Sequence, residues 1–121
     1  MSLHGKVAIV TGASRGIGRA IAMALASQGA DIVAAARAEP VPGTVEETAL
    51  AVQGLSQRAV PVDMDVTVER DVQRTVEKTL SSFGRIDILI NNAATNHHRN
   101  VVDFEPKWWD LIMRVNAYGP F

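Results

Sequence analysis

The chain has 121 residues, with 12 Lys and Arg against 13 Asp and Glu, a formal net charge of −1, and no cysteine. This length suits a single domain over residues 1–121. The balanced charge argues against a polybasic nucleic-acid binder, and the lack of cysteine excludes disulfides and Cys-ligated metal sites. No apolar run approaches the roughly 18 residues that span a membrane, and none forms a signal-peptide core. We therefore expect a soluble, cytoplasmic domain that binds neither nucleic acid nor membranes.

The first predicted unit is a strand, a turn and a helix. Val7–Thr11 is apolar nearly throughout, which is typical of a strand buried on both faces. The helix is predicted to end before Gly29 and to be followed by a second strand at residues 32–36. Its apolar residues fall on one helical face at Ile17, Ile21, Ala24 and Leu25.

A loop and a second helix lead to the third strand. Thr44 and Glu47 have the spacing of a capping box, so a helix is predicted to start here and to end near Gly54. Residues 59–62 favour a strand at the edge of the sheet, because Pro61 has no backbone donor.

The last predicted elements are a helix at residues 71–83, a strand at 86–90 and a helix at about 107–117. The apolar face of the first of these helices is predicted at Val72, Val76, Leu80 and Phe83. The apolar face of the final helix is predicted at Trp108, Trp109, Ile112 and Val115, and these four residues are expected to face the core. Four strands that alternate with helices indicate βαβ units. The expected fold is therefore α/β, a parallel sheet with helices on both faces.

The turn between the first strand and the first helix carries three glycines, Gly12, Gly16 and Gly18. Residues without a Cβ let backbone N–H groups approach a pyrophosphate, and the helix N-terminus behind them favours an anion. No Gly-Lys-Ser/Thr follows, so this is not a Walker motif. The alternative interpretation is a plain tight turn with small residues for helix–strand packing.

Four segments in this order resemble the short-chain dehydrogenase/reductase family. They are Thr11-Gly-x-x-x-Gly-x-Gly18, Asp65-Val66, Asn91-Asn92-Ala93-Ala94 and Val115-Asn116. Ala94 departs from the pattern, since the family usually has glycine there. The resemblance implies a Rossmann-like doubly wound sheet that binds a nicotinamide dinucleotide, incomplete here at about four strands in the order 3-2-1-4.

The resemblance also implies which residues contact the cofactor: Gly12, Ser14, Arg15, Gly16, Ile17, Gly18, Asp65, Val66, Asn92 and Ala93. Asp65 would accept a hydrogen bond from the adenine amino group. Asn92 and Ala93 would line the ribose side of the cleft, whereas Asn91 would bond neighbouring backbone. Alternatively, Asp65 is a charge at a helix N-terminus, with Thr67 as the cap.

The end of the second strand predicts the cofactor. An acid about 20 residues past the glycine turn accepts from the 2′-OH of NAD, whereas an Arg accommodates the 2′-phosphate of NADP. The strand ends Ala35-Ala36-Arg37, and the planar fork of Arg37 suits phosphate. Arg15 offers a second cation, so NADP(H) is the preferred cofactor. NAD(H) stays open, because Glu39 could accept from the ribose and both arginines could be surface residues.

The reaction implied by the resemblance is hydride transfer between the nicotinamide and a carbonyl or alcohol. The family uses a Tyr as acid–base, a Lys that lowers its pKa, a Ser that orients the substrate and an Asn that holds a water. Asn116 is the only one of these four in the chain, because Tyr118 has three residues after it and no Lys at the required spacing. We expect a chain truncated before the catalytic Ser, Tyr and Lys, and inactive alone.

Two functions are compatible with these observations. The first is the cofactor-binding half of an NADP(H)-dependent oxidoreductase, whose complete form is a homo-oligomer that acts on a small carbonyl or alcohol. The second is a non-catalytic nucleotide-binding or protein-interaction module that uses the open edge of the fourth strand and the final helix. No metal site is expected, because His97 and His98 are adjacent and lack a carboxylate at ligand spacing.

Overall fold

A computed structural model describes residues 2–39, 42–95 and 100–121. Four parallel strands form one sheet in the order β3-β2-β1-β4, which confirms the predicted order. The strands are β1 (Val7–Thr11), β2 (Asp31–Ala36), β3 (Ala59–Asp63) and β4 (Ile88–Ile90). Pro61 lies on the edge strand β3, opposite Ala34, as its missing N–H predicts.

Strand β4 is shorter than predicted, because residues 86 and 87 precede it. Asp87 holds the start of β4 beside β1 through two hydrogen bonds. Its backbone N–H donates to the carbonyl of Val7 at 2.9 Å, and its Oδ2 accepts from the N–H of Val7 at 2.9 Å.

Three helices connect the strands, α1 (Gly16–Ser27), α2 (Val45–Gln53) and α3 (Glu69–Phe83), and a further helix, α4 (Pro106–Met113), follows β4. Half of the predicted capping box is formed, since Thr44 Oγ1 accepts from the N–H of Glu47 at 3.1 Å. The Glu47 carboxylate turns to Arg19 instead, at 3.1 Å. No helix in the described part of the chain is long and apolar enough to cross a membrane.

The sheet has an apolar core on each face, and alternate residues of β2 supply both. Ile32 and Ala34 pack with residues of α1 and α2, whereas Val33 and Ala35 pack with partly buried residues of α3. All five residues of β1 and all six of β2 are buried. Burial on both faces is why these strands are continuous apolar runs rather than alternating ones.

The predicted face of α1 is confirmed only in part, since Ile21 and Leu25 pack against the core but the most buried positions lie one residue further along. Its buried residues are Gly18, Ala22 and Ala26, whereas Ile17 is 73% exposed and Ala24 is also exposed. Small side chains let a helix lie close to a sheet, so the glycine and alanines take the contact and the larger Ile17 is left outside.

The predicted face of α3 is also confirmed only in part, since Val72 and Phe83 pack against the core but the other two predicted positions do not. Thr75 and Thr79 are buried, whereas Val76 and Leu80 are exposed. The buried hydroxyls are satisfied inside the helix, because Thr75 donates to the carbonyl of Asp71 at 2.8 Å and Thr79 to that of Thr75 at 2.7 Å. A satisfied threonine can therefore stand at a core position.

Helix α4 does not reach the core, so the core assignment of Trp108 and Trp109 is wrong. No residue of α4 is buried, and Trp109 is 59% exposed. The helix ends four residues earlier than predicted and continues as a π-helical turn at Arg114–Tyr118, which also has no buried residue. Within the described chain, this segment rests on the surface of the sheet domain.

Candidate functional site

A cleft of about 310 Å³ opens where the carboxyl ends of the four strands meet. In an open parallel sheet this is the edge at which ligands bind, where the strand order reverses between β1 and β4. Nine of the predicted site residues line it: Gly12, Ser14, Arg15, Gly16, Arg37, Asp65, Val66, Asn92 and Ala93. The predicted residues Ile17, Gly18 and Asn116 are not among the lining residues.

The glycine turn is shaped by close backbone contacts. Gly12 has φ +65°, and a Cβ there would lie 2.8 Å from Asn92 Nδ2 and 2.9 Å from Ala93 Cα. A Cβ at Gly18 would overlap the carbonyl oxygen of Gly12 and lie 2.6 Å from the same Asn92 Nδ2. Gly18 is therefore required for packing of the helix against the turn, not for contact with the cleft.

The first turn of α1 offers free backbone donors. Arg15 is the N-cap residue and makes no side-chain capping bond. The N–H of Arg19 bonds to the Arg15 carbonyl at 3.3 Å, so the amides of residues 16–18 precede the first bond of the helix. Such amides, with the positive end of the helix dipole, form a site for an anion.

The carbonyls of the turn are held by side chains that sequence reasoning missed. The buried Thr48 donates to the carbonyl of Ala13 at 2.7 Å, and Arg19 Nη2 donates to that of Ser14 at 2.6 Å. Arg19 Nε also donates to Thr48 Oγ1 at 3.0 Å. Because these acceptors are engaged by α1 and α2, the turn is fixed in one conformation. The signal in the sequence was a threonine among the buried positions of α2.

Thr11 and Asn92 join the glycine turn to the segment after β4. Thr11 Oγ1 accepts from the N–H groups of Asn92 and Ala93, each at 3.0 Å. Asn92 Nδ2 donates to the carbonyl of Gly12 at 3.2 Å. The backbone-bonding role predicted for Asn91 therefore belongs to Asn92, while Asn91 is exposed.

Arg15 and Arg37 converge at the mouth of the cleft on the carboxylate of Glu39. Arg15 Nη2 lies 3.1 Å from Oε2, and Arg37 Nη2 lies 3.0 Å from Oε1. The hydrogen bond from Arg37, together with that from Arg15, holds the pKa of Glu39 below its ordinary value. The same bond to Glu39 raises the pKa of Arg37.

Asp65 lines the cleft with one carboxylate oxygen free in the described chain. Its Oδ1 accepts from the N–H of Thr67 at 2.9 Å and from the Thr67 hydroxyl at 2.7 Å. Burial acts to raise the pKa of Asp65, but the bonds from Thr67 and the charges of Arg37 and Arg114 together outweigh it, so the pKa is lowered. Thr67 is not a helix cap, because α3 begins after Val68 without a side-chain cap.

The comparisons with known proteins agree with this architecture. The family model for short chain dehydrogenase matches residues 6–121. The chain belongs to the short-chain dehydrogenase family. It is 42% identical over 123 residues to hydroxysteroid dehydrogenase-like protein 2 from Homo sapiens and from Pongo abelii. The alignment covers 98% of this chain and 29% of each relative, so the chain spans under a third of their length.

Two solved structures of the family superpose closely. A short chain dehydrogenase from Mycobacterium thermoresistibile matches with a TM-score of 0.91 and 34% identity, over 98% of this chain and 44% of that one. Carveol dehydrogenase from Mycobacterium avium, solved in complex with NAD, matches with a TM-score of 0.87 and 31% identity, over 97% and 46%.

Asn116 lies in the π-helical turn, and its side chain is hydrogen-bonded to the backbone of Thr95. Its Oδ1 accepts from the N–H of Thr95 at 2.9 Å, and its Nδ2 donates to the carbonyl of Thr95 at 2.9 Å. Thr95 itself lines the cleft. Asn116 therefore positions the cleft wall through Thr95. His97 and His98, and Pro40 in the connection after β2, lie outside the described residues.

Proposed function

We propose that this chain binds NADP(H) as the cofactor-binding part of an oxidoreductase that acts on a carbonyl or alcohol. The observation that carries the proposal is the meeting of Arg15 and Arg37 on the two oxygens of one anionic group, at 3.1 and 3.0 Å. Two guanidinium groups that share an anion at the end of β2 suit the 2′-phosphate of NADP(H).

The other lining residues fit the rest of a dinucleotide. A Cβ at Gly12 would lie 2.9 Å from Ala93 Cα, so glycine lets the turn approach the segment after β4, and both line the cleft. The amides of residues 16–18 would hold the pyrophosphate, with Ser14 and Ile17 beside them. The free Oδ2 of Asp65 would accept from the adenine amino group, and Val66 would pack against the ring. Asn92 and Ala93 would line the ribose nearer the nicotinamide.

The nicotinamide, when bound, would supply or accept the hydride, and this chain's residues would hold the adenosine and pyrophosphate of the cofactor. Asn116 would support the proton relay and the adjacent wall through Thr95, at 2.9 Å. Carveol, which the Mycobacterium avium relative is named for, is an alcohol, and this supports the same substrate class here. Because that relative was solved with NAD, NAD(H) is the second cofactor that we propose the cleft accepts.

The test is binding of 2′,5′-ADP and 5′-ADP, measured by isothermal titration calorimetry at low ionic strength. Arg37→Met should weaken 2′,5′-ADP binding about tenfold or more, since a hydrogen bond to a charged group is worth about 1.5–3 kcal/mol. Binding of 5′-ADP should change little. The control is Arg85→Met, which removes the same charge beside Asp87, near the start of β4. Equal losses for both ligands, or no binding of 2′,5′-ADP by the wild type at millimolar concentration, would contradict the proposal.

The double variant Ala36→Asp, Arg37→Asn should shift the preference towards NAD(H), because it places an acceptor for the 2′-OH at the end of β2. An unchanged ratio of the two affinities would show that this position does not select the cofactor.

We also expect no reduction of carbonyl compounds by the 121-residue chain alone, since its one tyrosine has no lysine at Tyr-x-x-x-Lys spacing. Detectable NADPH oxidation with any ketone would overturn that expectation.

A further inference from the structure

Glu39 affects which other anions the two arginines can bind. Its carboxylate occupies the point at which both guanidinium groups meet, with one oxygen on each. A phosphate bound between the same two guanidinium groups would take the position of this carboxylate and compete for its donors, Arg15 Nη2 and Arg37 Nη2. The carboxylate and a 2′-phosphate cannot both occupy this point.

The backbone around Glu39 is held in place rather than left free. The N–H of Ala38 donates to Asp63 Oδ1 at 3.1 Å, which ties the residue before Glu39 to the end of β3. Further along the same connection, Gly43 has φ +98°, and a Cβ there would lie 2.8 Å from Arg15 Cβ. Gly43 therefore packs against the glycine turn on the side where Arg15 lies.

The ion pairs can nevertheless be exchanged at small cost. The side chains of Arg15, Glu39 and Arg37 are 50%, 34% and 59% exposed, and pairs at this exposure are weak. A phosphate monoester carries about −1.5 to −2 charge at neutral pH, against −1 for a carboxylate. The phosphate is therefore the stronger ligand for the two arginines.

We propose that Glu39 is a specificity-determining residue that acts as a built-in competitor of the 2′-phosphate. In the free chain its carboxylate holds the arginine pair. When NAD(H) binds, the carboxylate stays and accepts from the ribose 2′-OH; when NADP(H) binds, the phosphate displaces it. This inference rests on the proposed function. Its consequence is a preference for NADP(H) smaller than two arginines alone would produce.

The test measures 2′,5′-ADP and 5′-ADP binding to Glu39→Gln at low ionic strength. The amide keeps the shape of the side chain but removes the charge that competes for the arginines. We expect 2′,5′-ADP affinity to rise about three- to tenfold, and 5′-ADP affinity to stay the same or fall. The control is Glu46→Gln, which makes the same charge change at an exposed position in the first turn of α2. It should leave the ratio of the two affinities at the wild-type value.

A second variant separates competition from a general charge effect. In an Arg15→Met background, Glu39→Gln should raise 2′,5′-ADP affinity less than it does in the wild type, because one of the two contested donors is gone. Wild-type binding of 2′,5′-ADP with a ratio unchanged by Glu39→Gln would overturn this proposal and leave the proposed function standing. Binding of 2′,5′-ADP by neither protein would overturn the proposed function, and this proposal with it.

Discussion

The two central strands of the sheet and its β4 edge differ in how they are held. Strands β1 and β2 are buried throughout, and α1 and α2 pack on them with alanine and valine side chains. Strand β4 has no fully buried residue, with Leu89 54% exposed, and α4 has none either. The part of the cleft proposed for adenosine and pyrophosphate thus stands on a packed core, whereas the wall that carries Asn116 stands on exposed elements.

Hydrogen bonds supplement limited packing at β4, where Ile88 and Ile90 are only partly buried against the core. Asp87 bonds the backbone of Val7, Thr11 bonds the segment after β4, and Asn116 bonds Thr95. Such bonds fix position and direction but contribute only about 1 kcal/mol each, much less than burial of large side chains. The difference teaches that most of the buried apolar residues lie at the two central strands, whereas hydrogen bonds help to position the β4 edge.

The largest expected effect contrasts the central strand β2 with the edge strand β4. Ile32→Ala removes a fully buried side chain and should lower the free energy of unfolding by about 2–5 kcal/mol. Leu89→Ala, at 54% exposure, should cost under about 1 kcal/mol. Urea unfolding followed by circular dichroism measures both. Similar losses of unfolding free energy for the two variants would mean that β2 and β4 are equally packed in solution.

The next largest effect concerns the glycine turn between β1 and α1. Gly18→Ala forces a Cβ against the carbonyl of Gly12 and should cost about 2–3 kcal/mol in unfolding free energy, with loss of 2′,5′-ADP binding. The control is Gly5→Ala, where φ is +78° but the space is open, so only about 1 kcal/mol of backbone strain is expected. Normal ligand binding by a folded Gly18→Ala protein would show that the turn does not need this close approach.

The smallest effect concerns a single buried hydroxyl. Thr48→Val leaves the carbonyl of Ala13 without its donor and should cost about 1–2 kcal/mol, with weaker 2′,5′-ADP binding as the turn loosens. Thr79→Val is matched in burial, but its hydroxyl bonds only a carbonyl of its own helix. It should cost less and leave binding unchanged. Equal losses of binding in both variants would argue against a positioning role for Thr48.

Sequence patterns predicted the strands well and the helix faces only in part. Continuous apolar runs located β1 and β2, and Pro61 identified the edge strand. On α1, Ile21 and Leu25 pack against the core as predicted, but close helix–sheet packing takes the small Gly18 rather than Ile17. On α3, Thr75 and Thr79 are the most buried residues because their hydroxyls are satisfied inside the helix.

The sequence by itself determined the parallel sheet, the glycine turn and the placement of Arg15 and Arg37 at the cleft. These follow from local features: apolar periodicity, the missing Cβ of glycine, and the position of a residue at the end of a strand. Only the tertiary structure placed Glu39 between the arginines, Thr48 on the carbonyl of Ala13 and Asn116 on Thr95. Each of these contacts joins residues at least 21 positions apart, or depends on one that does, and periodicity carries no information about which distant side chains meet.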